Sequence, residues 1–187
     1  MAVPGTDRQA ALLRGVNVGS AKRVAMADLR ALVESLGFGE VRTLLNSGNV
    51  VYSAPGVAPA DAAARIAAAL PERLGVSASV VALGAAELAE AVAENPLAAV
   101  ADNPSRLLVA VPSDPGAIAS SLAPLTESDW APEALAVGPR VAYLWCPDGV
   151  IASALAAAVG RALGDAVTSR NWTTMVKLAA LAADARG

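Results

Sequence analysis

Histidine is absent from this sequence of 187 residues, and cysteine occurs once, at Cys146. Without histidine the chain has no Ser-His or Cys-His nucleophilic pair, no histidine ligand for zinc and no side chain that ordinarily titrates near neutral pH. A single cysteine excludes an intrachain disulfide, a thiolate metal cluster and Cys-x-x-Cys redox chemistry. Carboxylates, lysines and oxygen-only metal sites remain possible, but no acidic cluster has ligand spacing. We therefore expect neither a metal nor a cofactor.

Aromatic residues are scarce, at 3% of the chain, whereas hydrophobic residues make up 55% and charged residues 17%. This balance is typical of a globular protein whose core contains mainly small and β-branched side chains. The start of the chain does not resemble a secretory signal, and no apolar run is long enough to span a bilayer. We expect a cytoplasmic protein that does not bind membranes. Cys146 follows an apolar stretch and is predicted to be a small buried hydrophobe.

Acidic residues are missing from two segments, although the formal net charge of the chain is -3. Between Arg8 and Ala27 every charged side chain is basic, and the same holds between Ala166 and Ala183. A negatively charged chain does not attract nucleic acid or anionic membranes as a whole. Any anionic ligand would therefore prefer these two segments.

Hydrophobic periodicity and turn residues predict the order β-α-β-β-α-β in the first half of the chain, followed by one helix. The predicted elements are a strand at 9–15, a helix at 26–38 with Gly37 as its stop, strands at 41–46 and 49–54, a helix at 59–74, a strand at 77–83 and a helix at 85–95. The second half repeats this order, with strands at 106–112, 133–138, 140–146 and 166–170 and helices near 114–123, at 149–164 and at 173–185.

This order is typical of the ferredoxin-like fold. The expected fold class is α+β, with two tandem ferredoxin-like (βαββαβ) subdomains packed together and a C-terminal helix closing the chain. Asn95-Pro96 and Asn103-Pro104 interrupt the periodicity. The predicted N-terminal subdomain is therefore 1–95 and the C-terminal subdomain 96–187.

The loop RGVNVG, residues 14–19, is the first candidate site. Its glycines do not match the spacing of the phosphate loop of NTPases or of the dinucleotide-binding fingerprint. Gly15 and Gly19 could simply permit a turn, or the loop could hold an anion with backbone N–H groups and the side chains of Arg14, Lys22 and Arg23. Both interpretations remain open.

Two further segments allow a structural or a functional interpretation. Ser47-Gly48 predicts a tight hairpin, for which ordinary turn chemistry is the simpler explanation. In TSRNWTTMVKL, Thr173 or Thr174 is predicted to cap the last helix, next to Asn171. A helix start near Arg170, with a lysine one turn along, could equally bind an anion.

These segments resemble a bacterial family, the domain of unknown function 1697 (DUF1697). The resemblance depends on the RGxNVG loop, Met26 on the first helix, the SGN hairpin of Ser47, Gly48 and Asn49, and the C-terminal motif. The matching residues of that motif are Arg170, Asn171, Thr174 and Lys177. The resemblance implies two α+β subdomains and implies no reaction.

The leading hypothesis is a binding protein, rather than an enzyme, whose RGVNVG loop and TSRN helix start meet around an anionic ligand. The partner would be a nucleotide, a phosphoester or a nucleic-acid backbone. The residues expected to supply charge are Arg14, Lys22, Arg23, Arg170 and Lys177, and those expected to orient the ligand are Asn17, Ser47, Asn49 and Asn171.

Two alternatives remain. One is a histidine-free enzyme that uses Lys22 or Lys177 as a base or Schiff-base former in a pocket. In the other, the motif residues are purely architectural and hold loops in place through buried hydrogen bonds. The sequence does not specify an oligomeric state.

Overall fold

The first sheet contains four antiparallel strands. The computed structural model describes residues 7–19 and 23–184. Along the chain the strands are β1 (Arg8–Leu13), β2 (Gly39–Leu44), β3 (Asn49–Ser53) and β4 (Val80–Gly84). Their order in the sheet is β2-β3-β1-β4. β1 therefore lies between β3 and β4, with Leu12 opposite Asn49 and Leu13 opposite Val80. This register brings the end of β1 next to the turn that leads into β3.

Two helices cover one face of this sheet, α1 (Met26–Ser35) and α2 (Pro59–Leu74). Leu29, Leu32 and Val33 recur at helical spacing and are buried in α1. They belong to a core that also includes Ala11 and Leu13 of β1. The sheet and its two helices thus enclose one hydrophobic core beneath the RGVNVG loop.

The second sheet repeats this arrangement. Its strands are β5 (Leu107–Pro112), β6 (Ala134–Val137), β7 (Ala142–Trp145) and β8 (Val167–Asn171), in the order β6-β7-β5-β8. All neighbouring strands are antiparallel. The accompanying helices are α4 (Ile118–Thr126) and α5 (Ala154–Leu163). Each sheet is followed by one further helix, α3 (Ala85–Ala93) and α6 (Trp172–Ala183).

The described residues therefore form an α+β structure with two four-stranded antiparallel sheets and six α-helices, in the predicted order of elements. None of these helices is long and apolar enough to cross a bilayer. By spatial contact the chain divides into two compact units, Met1–Ala89 with Leu178–Gly187, and Glu90–Lys177. The division of the chain into subdomains 1–95 and 96–187 stays a prediction.

Several predicted boundaries were wrong for local reasons. The helix predicted from residue 149 begins at Ala154, because Gly149 has a φ of +97° and the Ser153 side chain caps the helix. The helix predicted near 114–123 starts as a short 3-10 turn, Pro115–Ala117, and becomes α-helical only at Ile118. Proline at a first helical position explains this start.

Candidate functional site

The RGVNVG loop follows β1 and contains three residues with positive φ. The φ angles are +66° at Gly15, +55° at Asn17 and +62° at Gly19. A Cβ atom on either glycine would meet nothing within 4 Å, so these glycines are needed for backbone conformation rather than for space. Asparagine is one of the few other residues that adopt this region readily. The sequence pattern therefore encodes the shape of the loop.

Asn17 stabilises the loop through hydrogen bonds of both the nitrogen and the oxygen of its carboxamide. Nδ2 donates to the carbonyl oxygens of Val24 at 2.8 Å and of Asn46 at 2.7 Å, and Oδ1 accepts from the amide of Val24 at 2.9 Å. The bonds to Val24 close the loop, and the bond to Asn46 ties it to the turn between β2 and β3. Both amide hydrogens are used, so Asn17 is a structural residue here, and its contact with a ligand stays a prediction.

The turn between β2 and β3 has four residues, whereas the sequence predicts a tight turn of two at Ser47-Gly48. β2 ends at Leu44 and β3 begins at Asn49. The buried Asn49 side chain explains the wider turn, because its Nδ2 donates to the Leu44 carbonyl oxygen at 2.9 Å and to Ser47 Oγ at 2.8 Å. Asn49 thus spans the turn from inside, and its predicted contact with a ligand also stays a prediction.

Gly48 allows the turn to pack against the RGVNVG loop. Its φ is +78°, and a Cβ atom there would lie 2.5 Å from Val16 Cγ2 and 2.9 Å from Leu13 Cβ. The Leu13 amide donates to the Gly48 carbonyl oxygen at 2.8 Å. Glycine is required here for both its conformation and its lack of a side chain.

An open cleft of about 490 Å³ lies where the loop, the turn and α1 meet. It is lined by Asn17, Arg23, Val24, Ala25, Met26 and Asn46. Asn17 and Arg23 are among the site residues predicted from the sequence, and the other four were missed. Their positions in the sequence could have indicated two of them, because Asn46 belongs to the NSGN turn and Met26 begins the helix after the loop.

The amino end of α1 gives the cleft a positive character. Ala25, which precedes the helix, has an extended backbone and no side chain that could cap the first amides. The amides of a first helical turn have no partners within the helix and carry the positive end of its dipole. Arg23 is exposed and adds a full charge. Asp28 is the acidic residue of this turn and does not line the cleft.

Two exposed apolar side chains adjoin the lining residues in the chain. Val18, next to Asn17, is 70% exposed, and Leu45, next to Asn46, is 52% exposed. Leu45 has a φ of +57°, which is unfavourable for leucine. Neither side chain belongs to the buried core, so both are available for contact with a ligand or partner.

The remaining predicted residues of this region have different surroundings. Arg14 is half-buried, and its backbone amide donates to the Ser79 carbonyl oxygen at 2.9 Å. Ser47 is exposed and accepts the hydrogen bond from Asn49. Lys22 lies outside the residues that the structure describes. Ligand contact by these three residues stays a prediction.

In the C-terminal motif, Arg170 lies on β8 and is buried. Its Nη1 donates to Thr168 Oγ1 at 2.9 Å and to the Ser169 carbonyl oxygen at 2.8 Å. Burial lowers the pKa of Arg170 to about 10, which leaves the guanidinium charged at neutral pH. The local charge pattern could not indicate that this arginine sits on a buried face of a strand.

Asn171, rather than Thr173 or Thr174, caps the last helix. Its Oδ1 accepts from the Thr174 amide at 2.9 Å and from Thr174 Oγ1 at 2.8 Å. The predicted cap was wrong because α6 begins at Trp172, which makes the preceding asparagine the capping residue. Lys177 is exposed on α6.

The RGVNVG loop and the hairpin belong to the first unit, whereas Arg170, Asn171 and Lys177 belong to the second. Within the first unit the structure brings Asn17 and Arg23 together at one cleft. A single site shared by the two motifs stays a prediction, as does ligand contact by the three C-terminal residues.

Cys146 is fully buried, as predicted. Burial raises the pKa of its thiol, a hydrogen bond from Ser153 lowers it and the charge of Glu133 raises it. The neutral, covered thiol is a poor nucleophile. In the part of the chain that the structure describes, no group of three acidic or cysteine side chains could hold a metal ion.

Comparisons with known proteins are consistent with this architecture. The solved structure of the conserved bacterial protein SP0830 from Streptococcus pneumoniae has a TM-score of 0.75 to this chain at 22% sequence identity. The similarity covers 95% of this chain and 99% of that one, and at this identity it establishes a shared fold alone. The search of curated proteins gave no match.

The sequence model of one protein family matches residues 7–143, most of the chain. That range includes the RGVNVG loop and the SGN hairpin, whereas the TSRN motif lies beyond it. The chain belongs to the family described as "Protein of unknown function (DUF1697)".

Proposed function

We propose that the chain is a binding protein for an anionic ligand, which it holds in the cleft between the RGVNVG loop and the turn 45–48. The ligand class is a nucleotide, a phosphoester or a nucleic-acid backbone. The observation that carries this proposal is the lining of the cleft, which combines Arg23 with the amino end of α1. Arg23 carries a guanidinium, the first amides of α1 are hydrogen-bond donors, and residues of both kinds line the same cleft.

The chemistry of the lining favours phosphate oxygens. Hydrogen bonds between an arginine and a phosphate are roughly twice as strong as those between neutral groups, and they are often bidentate. The dipole of a helix contributes a further ~0.3 to 1 kcal/mol for an anion at its amino end. No acidic residue occurs between Arg8 and Ala27, so the segment itself offers no competing carboxylate. Arg14 and Lys22 of the same segment would add to the positive potential.

The hydrogen bonds of Asn17 favour binding by holding the cleft in shape. They connect the loop to itself and to the turn before any ligand arrives. A rigid site loses less conformational entropy on binding than a flexible loop does. The structural role of Asn17 therefore supports a binding role for the cleft that it shapes.

The exposed apolar residues Val18 and Leu45 favour a ligand that carries an apolar or aromatic group beside its phosphate. Apolar contact adds affinity in proportion to the area removed from water. A nucleotide offers such a group, and inorganic phosphate does not. We therefore expect a nucleoside phosphate to bind more tightly than phosphate alone.

We propose binding rather than catalysis by lysine. A lysine nucleophile or base requires desolvation in a pocket, and Lys177 is exposed. The hydrogen bonds of Asn49 and Asn171 fit the architectural alternative for those two residues. Asn17 combines the two roles, since it makes structural bonds and also lines the cleft.

A thermal-shift screen of the purified full chain tests the proposal. The ligands are nucleotides, sugar phosphates and short RNA and DNA at low and moderate salt. A ligand present at about one hundred times its dissociation constant stabilises the protein by about 2.7 kcal/mol, which raises the midpoint by several degrees. The rise should fall in Arg23→Ala and persist in Arg30→Ala, an exposed arginine of α1 that does not line the cleft. An equal response in the two variants would reject the cleft as the site.

Two further proposals concern the fold group of the two halves and the cellular compartment of the protein. The strand order of each sheet, with the first strand flanked by the third and fourth, supports assignment of both halves to the ferredoxin-like group. The lone buried cysteine supports function in a reducing compartment, for which the cytoplasm is our proposal.

A further inference from the structure

Arg8 places a buried positive charge in the first unit. It begins β1, and its side chain is 6% exposed. Alternation along β1 puts Arg8 on the face opposite to Ala11 and Leu13, which belong to the core with α1 and α2. Arg8 does not line the cleft, so its charge has no part in the site proposed above.

The guanidinium of Arg8 makes its contacts through one nitrogen. Nη1 lies 3.1 Å from Oε2 of Glu40 and also donates to the carbonyl oxygen of Asp184, which follows α6. Nε and Nη2 are buried and have no hydrogen-bond partner among residues 7–19 and 23–184. Buried charged donors without acceptors are strongly unfavourable.

The two unpartnered nitrogens form one edge of the guanidinium. Such an edge presents two N–H groups side by side, which match two oxygens of a carboxylate or phosphate. Glu40 does not occupy this edge, because its carboxylate contacts Nη1. The donors are therefore arranged for a bidentate acceptor that the described residues do not provide.

The surroundings of Arg8 are charged and partly open to solvent. Arg42 Nη1 lies 3.6 Å from Asp184 Oδ2, so a second cation contacts the same residue as Arg8 does. The side chains of Glu40, Arg42 and Asp184 are 45%, 39% and 36% exposed. Ions in solution can therefore reach these three residues.

We propose that the Nε–Nη2 edge of Arg8 is a second oxyanion site, which binds a carboxylate or phosphate group bidentately beside Arg42. An anion held there satisfies the buried donors and binds next to Asp184, the residue that follows α6. Occupancy consequently stabilises the first unit, to which Asp184 belongs. This site is separate from the cleft and does not depend on the function proposed for it.

Thermal unfolding of the full chain in sodium formate, phosphate or chloride, at one pH and ionic strength, tests this site. We expect a saturable rise of the midpoint by several degrees with formate or phosphate over chloride. Arg8→Lys keeps the positive charge but lacks the two parallel N–H donors of the guanidinium edge. The anion-dependent rise of the midpoint should therefore disappear in this variant. Arg30→Lys is the matched control, because Arg30 also pairs with a glutamate but is exposed. The part of the rise that Arg8→Lys removes should persist in Arg23→Ala, which separates this site from any binding of the same anions at the cleft.

The pattern of responses identifies the ligand chemistry. A rise with both anions supports a general oxyanion site, and a rise with one alone supports a phosphate or a carboxylate site. No rise, a rise that never saturates, or an equal rise in Arg8→Lys would overturn the proposal. If Arg8→Lys does not fold, wild-type protein labelled with ¹⁵N-arginine supplies a second measurement. A buried Nε–H resonance should then shift saturably with phosphate or formate, and a stationary resonance would overturn the proposal.

Discussion

The Asn17 carboxamide donates a hydrogen bond of 2.7 Å to the backbone carbonyl oxygen of Asn46, which joins the RGVNVG loop to the turn between β2 and β3. The same side chain makes two further bonds to Val24. The cleft that we propose as the binding site lies beside this connection. Its shape therefore depends on one asparagine.

Asn17→Ala should lower the free energy of unfolding by about 2 to 3 kcal/mol, because three hydrogen bonds disappear and alanine is less tolerant of positive φ. Asn46→Ala is the matched control, because alanine keeps the backbone carbonyl oxygen that accepts from Asn17. Its effect on the free energy of unfolding should stay within about 0.5 kcal/mol. Urea unfolding measures both. Similar losses in the two variants would show that the carboxamide of Asn17 does not connect these segments.

Gly48→Ala should be more destabilising than Gly15→Ala. Both glycines have positive φ, so both substitutions strain the backbone by roughly 1 kcal/mol. Only at Gly48 does the new methyl group also meet neighbouring atoms, at 2.5 Å from Val16 Cγ2. We expect a loss of about 2 to 4 kcal/mol at Gly48. Chemical denaturation of the two variants gives the difference, and equal losses would argue against close packing of the turn on the loop.

Asn171→Ala should lower stability by about 1 kcal/mol, because the first turn of α6 loses its cap. Asn171→Asp keeps an oxygen acceptor and should retain most of the stability. Thr173→Ala tests the capping residue that the sequence wrongly suggests, and its effect should stay within about 0.5 kcal/mol because Thr173 is exposed. A larger loss at Thr173 than at Asn171 would contradict the observed cap.

Tyr52 should make the protein less stable at alkaline pH. Burial raises the pKa of its phenol above the ordinary value of 10.0. Below pH 10 the phenol is neutral in both states, so the contribution to stability is fully present. Above pH 10 the unfolded state ionises first, and stability falls as pH rises towards the folded pKa. Tyr52→Phe removes this group, so the free energy of unfolding should fall less steeply above pH 10. An unchanged slope would contradict this account.

The sequence predicted features that are determined locally. The α2 boundaries, Pro59–Leu74, match the prediction because proline starts the helix and Gly75 adopts the left-handed conformation at its end. The positive φ angles of the RGVNVG loop likewise follow from its glycines and asparagine. The order of strands and helices was predictable for the same reason, since each element has its own periodicity and boundary residues.

Features that depend on tertiary contact were not predictable. The partner of Asn17 lies 29 residues away in a turn, and only the pairing of β1 with β3 brings the two together. Arg170 appeared to be an available charge because the residues around it in sequence are polar, but its position on β8 buries it. The sequence did not predict a site at Arg8 either. That its Nε and Nη2 lack hydrogen-bond partners can be recognised only when the positions of Glu40 and Asp184 around it are known.

The most direct test of the cleft is an amide ¹H–¹⁵N NMR titration of the full chain with a nucleoside monophosphate at constant ionic strength. We predict saturable shifts of the amides from Val24 to Asp28, where Arg23 and the start of α1 line the cleft. In Arg23→Ala the dissociation constant should rise roughly tenfold, because one charge-assisted hydrogen bond is lost. Shifts confined to other parts of the chain, or stationary amides at the start of α1, would contradict the account.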